Sequence, residues 1–204
     1  MPKELSERQT AKREQIALAA RKLFLASGYA GTSMDAVTAE AGVSKQTLYA
    51  YFPTKLDLLT STIADELARL TLEPPENVRL TGLADLRELM IGFSVALTDR
   101  LMTPDTISLL RLLLAEAFRV PELRQLVRDA LPGQLLARTE RLLAQAEAAG
   151  LISVRELNLS ARMFIGPLMS YVILDGVIGD SDSPPPGRAV LEYLVDSFLR
   201  TVTP

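Results

Sequence analysis

The sequence predicts an all-α protein with about nine helices, and three observations support this fold class. Leu and Ala, both strong helix formers, dominate the 204 residues. Apolar residues recur at spacings of three and four, whereas no segment alternates apolar and polar residues as a half-buried strand would. Gly, Pro and capping residues separate the periodic segments and mark where each helix begins and ends.

Four helices are predicted in the first part of the chain. The first follows the helical spacing of Ile16, Ala20, Leu23 and Phe24 and stops at Gly28. Gly42 stops the second, and Pro53 stops the third, because the residue before a proline is disfavoured in helical geometry. The predicted ranges are 10–27, 32–42 with Ser33 as the alternative start, 44–52 and 54–72.

Capping residues predict three of these helix starts. Thr32 with Asp35 and Thr54 with Asp57 have the spacing of a capping box, with Asp in place of the usual Glu. Ser44 is the predicted N-cap of the third helix. We therefore expect Thr32, Ser44 and Thr54 to bind the free backbone N–H groups of the turns that follow them.

Five further helical stretches are predicted after residue 80. Thr103 and Pro104 are typical of a helix start, since proline fits the first helical turn. Pro132–Gly133 indicates either two helices or one kinked helix, and Gly166–Pro167 indicates a second kink. The predicted ranges are 83–101, 104–118, 121–150, 156–178 and 188–202, with a proline-rich surface loop at 181–187.

The composition excludes several kinds of chemistry. Cys and His are absent, which removes disulfides, thiol nucleophiles, His-dependent triads and the commonest transition-metal ligands. The remaining acidic, basic and nucleophilic side chains form no convergent set. We therefore expect no enzymatic activity, no metal site and no cofactor.

Nothing in the sequence predicts secretion or membrane insertion. The N-terminal segment is charged and lacks the apolar core of a signal peptide. The longest apolar stretch, Met163–Gly179, contains Gly166, Pro167 and Asp175 and is short for a bilayer span. We expect a soluble cytoplasmic protein without membrane contact.

Charge is distributed unevenly along the chain. Residues 1–55 contain eight Lys or Arg against five Asp or Glu, whereas the rest contains 14 against 20. A basic N-terminal part on an acidic body is typical of a protein that binds phosphate at one end only.

Residues 32–52 contain the most informative motif. They are predicted to form two short helices joined at Gly42, where the turn requires a positive φ. Val37, Ala41, Val43 and Leu48 would pack the pair together, and the small Ala41 would let the helices cross closely. The second helix is left with a polar face, which fits the major groove of DNA, where base edges present donors and acceptors.

This motif resembles the DNA-binding domain of the TetR family of regulators. The resemblance rests on the run G-Y-x-G-T-S-M-D-A-V-x-x-x-A-G-V-S-K-Q-T-L-Y-x-Y-F-x-x-K and covers about residues 10–57. Thr38 departs from it, since the family usually has Ala there. The resemblance implies a helix-turn-helix DNA-binding domain at 1–53, a connecting helix at 54–72, and a larger helical ligand-binding and dimerisation domain within 54–204.

The same resemblance implies specific DNA contacts. Gln46 would pair with adenine and Lys45 would donate to guanine. The residues that would face the groove are Lys45, Gln46, Thr47 and Tyr51. The residues that would bind phosphates are Thr32, Ser33, Tyr49 and Lys55. Lys12 and Arg13 are further candidates for contact with the DNA backbone or minor groove.

The second part of the chain is similar to the C-terminal domains of AefR-type regulators, through residues 108–123 (SLLRLLLAEAFRVPEL). That similarity implies a helical, dimer-forming sensor. The stretch at 162–178 is apolar nearly all round, and the helix at 188–202 has a wide apolar surface. We expect a homodimer in which these two helices pair with their two-fold mates; the alternative is that both are buried within one subunit.

A small-molecule effector is expected to bind among the helices from Leu83 to Ile178. Because few charges fall in this region, an apolar or aromatic effector is predicted. Arg111 either pairs with another charge or orients the ligand. The candidate lining residues, each of which has core packing as its alternative, are Met90, Phe93, Leu97, Leu110, Arg111, Met163, Phe164 and Tyr171.

The combined expectation is a repressor that binds a palindromic DNA operator as a dimer and is released by its effector. Three alternatives compete with it. An enzyme would need a catalytic set that the sequence does not offer. A dimerisation adaptor with a vestigial DNA reader would have lost the polar residues 45–47, and a regulator of another helix-turn-helix group would lack the Leu-Tyr-x-Tyr-Phe ending.

Overall fold

The computed structural model describes residues 6–70, 80–180 and 182–203. These residues form nine α-helices and one π-helix without a strand, so the all-α prediction is confirmed. The α-helices are α1 (Glu7–Gly31), α2 (Met34–Ala41), α3 (Lys45–Tyr51), α4 (Lys55–Leu70), α5 (Leu83–Leu101), α6 (Pro104–Ala117), α7 (Pro121–Ala148), α8 (Leu157–Ser170) and α9 (Arg188–Val202). The π-helix (Tyr171–Ile178) directly follows α8. The predicted end of the fourth helix at Leu72 lies outside the described residues.

The chain divides into two compact units. The first contains the residues up to Arg69 together with Arg111–Val127, and the second contains Leu70–Leu110 and Arg128–Pro204. α6 and α7 therefore each contribute residues to both units. A domain boundary near Pro53 stays a prediction.

The first unit is built on α1, against which α2 packs. Ile16, Ala20 and Phe24 are fully buried on one face of α1, as the helical spacing predicts, whereas Leu23 of the same predicted face is half-buried. The backbone leaves helical geometry at Gly28, where φ is 67° and ψ is 176°, a conformation that glycine adopts without steric cost. α4 adds Leu58, Leu59 and Ile63 to the buried residues of this unit.

Two of the three predicted caps are confirmed and one is wrong. The Thr47 N–H donates to Ser44 Oγ over 3.0 Å. Thr54 and Asp57 form a reciprocal capping box, with both backbone-to-side-chain distances 3.0 Å. At α2, however, Ser33 is the N-cap and accepts from the Ala36 N–H. Thr32 does not cap because its side chain is buried against the end of α1.

The core of the second unit lies where α5, α8 and α9 pack together. Phe164 on α8 is buried between two other aromatic rings, with centroid distances of 6.2 Å to Phe93 and 5.4 Å to Phe198. Buried aliphatic residues surround this cluster. They include Leu86, Met90, Ile91, Leu97, Ile165, Leu168, Leu191 and Val195.

Ion pairs join the polar stripe of α9 to α5. Arg87 Nε lies 2.6 Å from Asp196 Oδ1, and Arg188 binds both Glu88 and Glu192, at 3.3 and 2.8 Å. The hydrogen bond from Arg87 holds the pKa of Asp196 below its usual value. The charged stripe of α9 therefore forms its ion pairs within the subunit, and the other exposed face of α9 is apolar.

Both internal proline pairs lie inside helices. α7 is one helix through Pro132, and α8 continues through Pro167 before the geometry changes to π at Tyr171. The resulting stretch, Leu157–Ile178, has 22 residues and is long and apolar enough to cross a membrane by length and composition alone. The expectation of a short span rested on the apolar stretch Met163–Gly179 alone, whereas the whole helix, predicted at 156–178, meets the length and composition. Helices in the core of soluble proteins can be equally long and apolar. In this helix, 33% of the most apolar segment is buried.

Candidate nucleic-acid interface

The pair α2–α3 is held at a fixed angle by its turn and its core. Gly42 adopts the left-handed conformation (φ 60°, ψ 38°) that lets the chain reverse after α2. The N–H groups of Gly42 and Val43 donate to carbonyls in the last turn of α2, each over 3.2 Å. Val37 and Leu48 are fully buried and Ala41 almost so, whereas Val43, also predicted to pack the pair, is half-buried. This arrangement presents the opposite face of α3 to solvent.

The exposed face of α3 carries polar and aromatic side chains. Lys45, Gln46 and Tyr49 are exposed, and 46% of Tyr49 is accessible. Thr47 and Tyr51, also predicted to face the groove, are half-buried. The Thr47 hydroxyl lies 2.8 Å from Ser44 Oγ. Within this seven-residue helix, three predicted contact residues therefore share an open surface, and two lie at its edge.

Lys45 is paired with an acidic residue of α2. Its Nζ lies 2.8 Å from Oδ1 and 2.9 Å from Oδ2 of Asp35. The hydrogen bond to Asp35 and its negative charge raise the pKa of Lys45. Sequence reasoning missed this pair, although opposite charges in the first turns of two helices joined by a tight turn are a usable signal.

Ser33 and Thr32 lie next to each other but face different ways. Ser33 is exposed at the N-terminus of α2, where helix N–H groups favour an anion. Thr32 is buried, and its hydroxyl donates to the carbonyls of Gly28 (2.8 Å) and Leu23 (3.2 Å). The Thr32 hydroxyl thus stabilises the loop, whereas Ser33 stands at the surface.

Lys55, the first residue of α4, is half-buried and binds the loop that precedes α2. Its Nζ donates to the carbonyls of Tyr29 (2.8 Å) and Thr32 (2.9 Å). An ammonium group has three donors, so one remains for another acceptor. Sequence reasoning did not find these two carbonyl partners, because they are 26 and 23 residues away.

Lys12 and Arg13 have different environments on α1. Lys12 Nζ donates to Gln15 Oε1 over 2.9 Å on the same helix. Arg13 binds α4 instead: Nη1 lies 3.3 Å from Asp65 Oδ2, and Nη2 donates to Ser61 Oγ. Arg13 also lies 5.8 Å from the centre of the Phe52 ring. These contacts make Arg13 a link between α1, the end of α3 and α4.

The predicted ligand-binding residues do not share one environment. Met90, Leu97 and Phe164 are buried, and Phe93 packs on Phe164. Met163 lies on the exposed side of α8. The half-buried residues of this set are Phe93, Leu110, Arg111 and Tyr171. Leu110 belongs to the second unit, whereas Arg111 belongs to the first.

A cavity of about 420 Å³ lies in the second unit, between the start of α5 and the end of α9. Its lining includes Leu83, Leu199 and the paired Arg87 and Asp196. None of the predicted ligand-binding residues lines it, so their pocket stays a prediction.

Two short helices with a glycine turn, an apolar contact between them and a polar outer face define a helix-turn-helix. A helix-turn-helix at the N-terminus of an all-α chain is the architecture of a DNA-binding transcription regulator. The comparisons with known proteins agree. The family model for bacterial regulatory proteins of the tetR family matches residues 16–62, and the model for the C-terminal domain of AefR-like transcriptional repressors matches residues 88–202.

Because the second match covers more than half of the chain, this protein belongs to the TetR family of bacterial transcription regulators, with an AefR-like C-terminal domain. Regulators of this family bind DNA as dimers and are not enzymes. The predictions of family and fold class are thereby confirmed.

Individual relatives support the assignment. The HTH-type transcriptional repressor KstR of Mycobacterium tuberculosis is 38% identical over 65 residues, which is 32% of this chain and 30% of KstR. A solved TetR-family transcriptional regulator from Mesorhizobium loti MAFF303099 is 26% identical, with a TM-score of 0.77 over 98% of this chain and 100% of that one. The flavonoid-responsive regulator FrrA is 28% identical, with a TM-score of 0.80 over 96% of this chain and 98% of FrrA.

Proposed function

We propose that this protein is a cytoplasmic repressor that binds a palindromic operator as a homodimer and is released by a small apolar or aromatic effector. The exposed polar face of α3 is the observation that carries the proposal. Its side chains stand on a helix held by the buried Leu48 and by the turn at Gly42. A rigid helix with such a face is what reading of base edges in the major groove requires.

The DNA contacts divide into two groups. Gln46 reads adenine and Lys45 reads guanine, while Thr47 and Tyr51 complete the groove contact from the edge of the helix. Ser33 and Tyr49 bind phosphates from exposed positions. Thr32 and Lys55 shape the loop ahead of α2, and the third N–H of Lys55 is directed to a phosphate.

A second copy of the chain is the proposed partner for an exposed apolar surface of the second unit. The surface runs along one side of α8 and the π-helix, and the exposed apolar face of α9 adds to it; Ile178 is 72% and Tyr193 68% exposed. Along α8 and the π-helix, the exposed apolar residues Leu159, Met163, Leu174 and Ile178 share this side with the small residues Gly166 and Ser170. Isolated subunits rarely expose a continuous apolar stripe.

Gly166 gives this surface a second indication of close helix contact. Glycine weakens a helix interior by about 1 kcal/mol relative to alanine. A Cβ atom at Gly166 would meet no atom of a non-adjacent residue within 4 Å in the subunit, so the subunit leaves room for a close approach at this point. A partner helix crossing here would use that room, and the two-fold axis would make the contact isologous.

The effector binds in the second unit, beside the aromatic cluster of Phe93, Phe164 and Phe198, whose rings pack on one another. The likeness to FrrA, whose name describes it as flavonoid-responsive, supports an aromatic effector. Binding shifts the population of dimers away from the DNA-competent arrangement. By linkage, the effector must then lower DNA affinity by the same factor as DNA lowers effector affinity.

Selection from a random DNA pool tests the function directly. We expect enrichment of a duplex with two-fold symmetry whose half-sites are one or more helical turns apart. The labelled duplex then serves to screen flavonoids and other aromatic compounds for release, measured by fluorescence anisotropy. A pool from which no sequence is enriched at low salt contradicts the proposal.

A further inference from the structure

The ion pair between Asp35 and Lys45 lies on the surface that is proposed to face DNA. It joins the first turn of α2 to the first turn of α3, across the turn at Gly42. Both side chains are exposed, at 67% for Asp35 and 65% for Lys45. The pair therefore places a negative charge within 3 Å of a proposed base-reading ammonium group.

A second ion pair on α2 provides a comparison. At the other end of the helix, Glu40 Oε1 lies 2.6 Å from Lys22 Nζ of α1. Both pairs contain one acidic residue of α2 and one exposed lysine. Only the pair of Asp35 includes a side chain that is proposed to contact a base.

We propose that Asp35 is a specificity-determining positioning residue, which directs Lys45 toward neutral base-edge acceptors and away from phosphates. The inference rests on the proposed DNA-binding function. A phosphate that approaches Lys45 also approaches the carboxylate of Asp35, and like charges repel each other. The O6 and N7 atoms of guanine carry no formal charge, so they can replace Asp35 as the acceptor without this repulsion. Repulsion of the wrong acceptor is a general source of specificity.

Replacing Asp35 changes nonspecific binding more than specific binding. In Asp35→Asn, Lys45 is free to neutralise a phosphate on any duplex. Each additional phosphate contact steepens the dependence of log affinity on log salt by about 0.9 per protomer. Between 50 and 200 mM salt, this slope corresponds to an additional affinity loss of about 3.5-fold per protomer. The ratio of operator affinity to affinity for a scrambled duplex therefore falls.

The experiment measures salt titrations on the selected operator and on a scrambled duplex of equal length. The variants are Asp35→Asn, Asp35→Glu, Glu40→Gln, Lys45→Met and the double variant Asp35→Asn/Lys45→Met. Glu40→Gln removes the same charge from the same helix and is the matched control. We expect only Asp35→Asn to combine a steeper scrambled-duplex slope with a lower affinity ratio, because Lys45→Met lowers the ratio through loss of the guanine contact without steepening the slope. Asp35→Glu should restore the wild-type slope, and the double variant should match Lys45→Met.

Three outcomes overturn the inference. If Glu40→Gln changes the salt slope and the affinity ratio as much as Asp35→Asn does, the effect is general electrostatics. If the double variant keeps the steeper slope, the effect does not act through Lys45. An unchanged slope in folded Asp35→Asn, checked by thermal unfolding, excludes the effect altogether. A wild-type protein without preference for any duplex removes the proposed function as well, whereas wild-type preference with any of the three outcomes removes this inference alone.

Discussion

Lys55 Nζ lies 4.3 Å from the centre of the Tyr29 ring and also donates to the Tyr29 carbonyl. The first residue of α4 thereby binds the loop between the glycine bend of α1 and the start of α2. Thr32 is bound to the same ammonium group through its carbonyl. The loop that carries the exposed Ser33 is thus held in place by a side chain more than 20 residues away.

Replacing Lys55 should lower both stability and DNA affinity. Lys55→Met removes two charge-assisted hydrogen bonds and the cation–π contact, and we expect the free energy of unfolding to fall by about 1–3 kcal/mol. DNA binding should weaken on all sequences alike, because the loop and a phosphate contact are affected rather than a base contact. Urea unfolding and anisotropy titrations measure the two effects.

Lys22→Met is the control, since its exposed pair with Glu40 contributes about 0–1 kcal/mol. Equal losses of stability and DNA affinity in both variants would argue against a special role of Lys55.

Tyr29 should make stability depend on pH in the alkaline range. Burial and the negative charge of Glu116 raise the pKa of Tyr29 above its ordinary value of 10.0. The folded state therefore favours the protonated phenol. Its contribution is fully present below the pKa of the unfolded chain and is lost as the pH rises through the folded-state pKa. We expect the unfolding free energy of wild type to fall more steeply above about pH 10 than that of Tyr29→Phe; parallel curves from pH 8 to 11 would exclude this contribution.

Gln46 and Tyr49 should differ in how their loss affects DNA recognition. Gln46→Ala removes a bidentate base contact, and we expect discrimination at one base pair per half-site to fall by about 1–3 kcal/mol. Tyr49→Ala removes a phosphate contact and should weaken binding to every sequence by a similar factor. Affinities for operator variants changed one base pair at a time measure the difference. A uniform loss for Gln46→Ala would contradict its assignment as a base reader.

Gly166 should be sensitive to substitution only in the assembled dimer. Its Cβ position meets no non-adjacent residue in the subunit, so Gly166→Leu should still fold, with some loss of stability because a side chain before Pro167 is disfavoured in a helix, while a proposed partner helix is displaced. We expect light scattering to report a monomer and DNA binding to lose its dependence on two half-sites. Gly92→Leu on α5 is the matched control, because its Cβ position is equally open and it lies outside the proposed interface. A Gly166→Leu protein that remains dimeric would place the interface elsewhere.

Features set by neighbouring residues were predictable from the sequence. Ser44, Gly42 and the pair Thr54–Asp57 adopt the predicted roles because a cap or a turn needs only residues within four positions of one another. α5 has the predicted bounds for the same reason. At Thr32 a local rule gave the wrong cap, because a buried hydrogen bond to the end of α1 satisfies its hydroxyl and Ser33 takes over.

The sequence by itself determined the helical class, the order of the helices and the identity of the DNA-reading motif, since all three follow from short-range spacing of apolar, capping and turn residues. Tertiary structure alone decided the partners of charged groups that are far apart in the sequence: Arg13 with Asp65 and Arg87 with Asp196. Charge attraction depends on distance in space and not on separation along the chain. Which lysine faces a carboxylate, a carbonyl or open solvent is therefore set only when the helices pack.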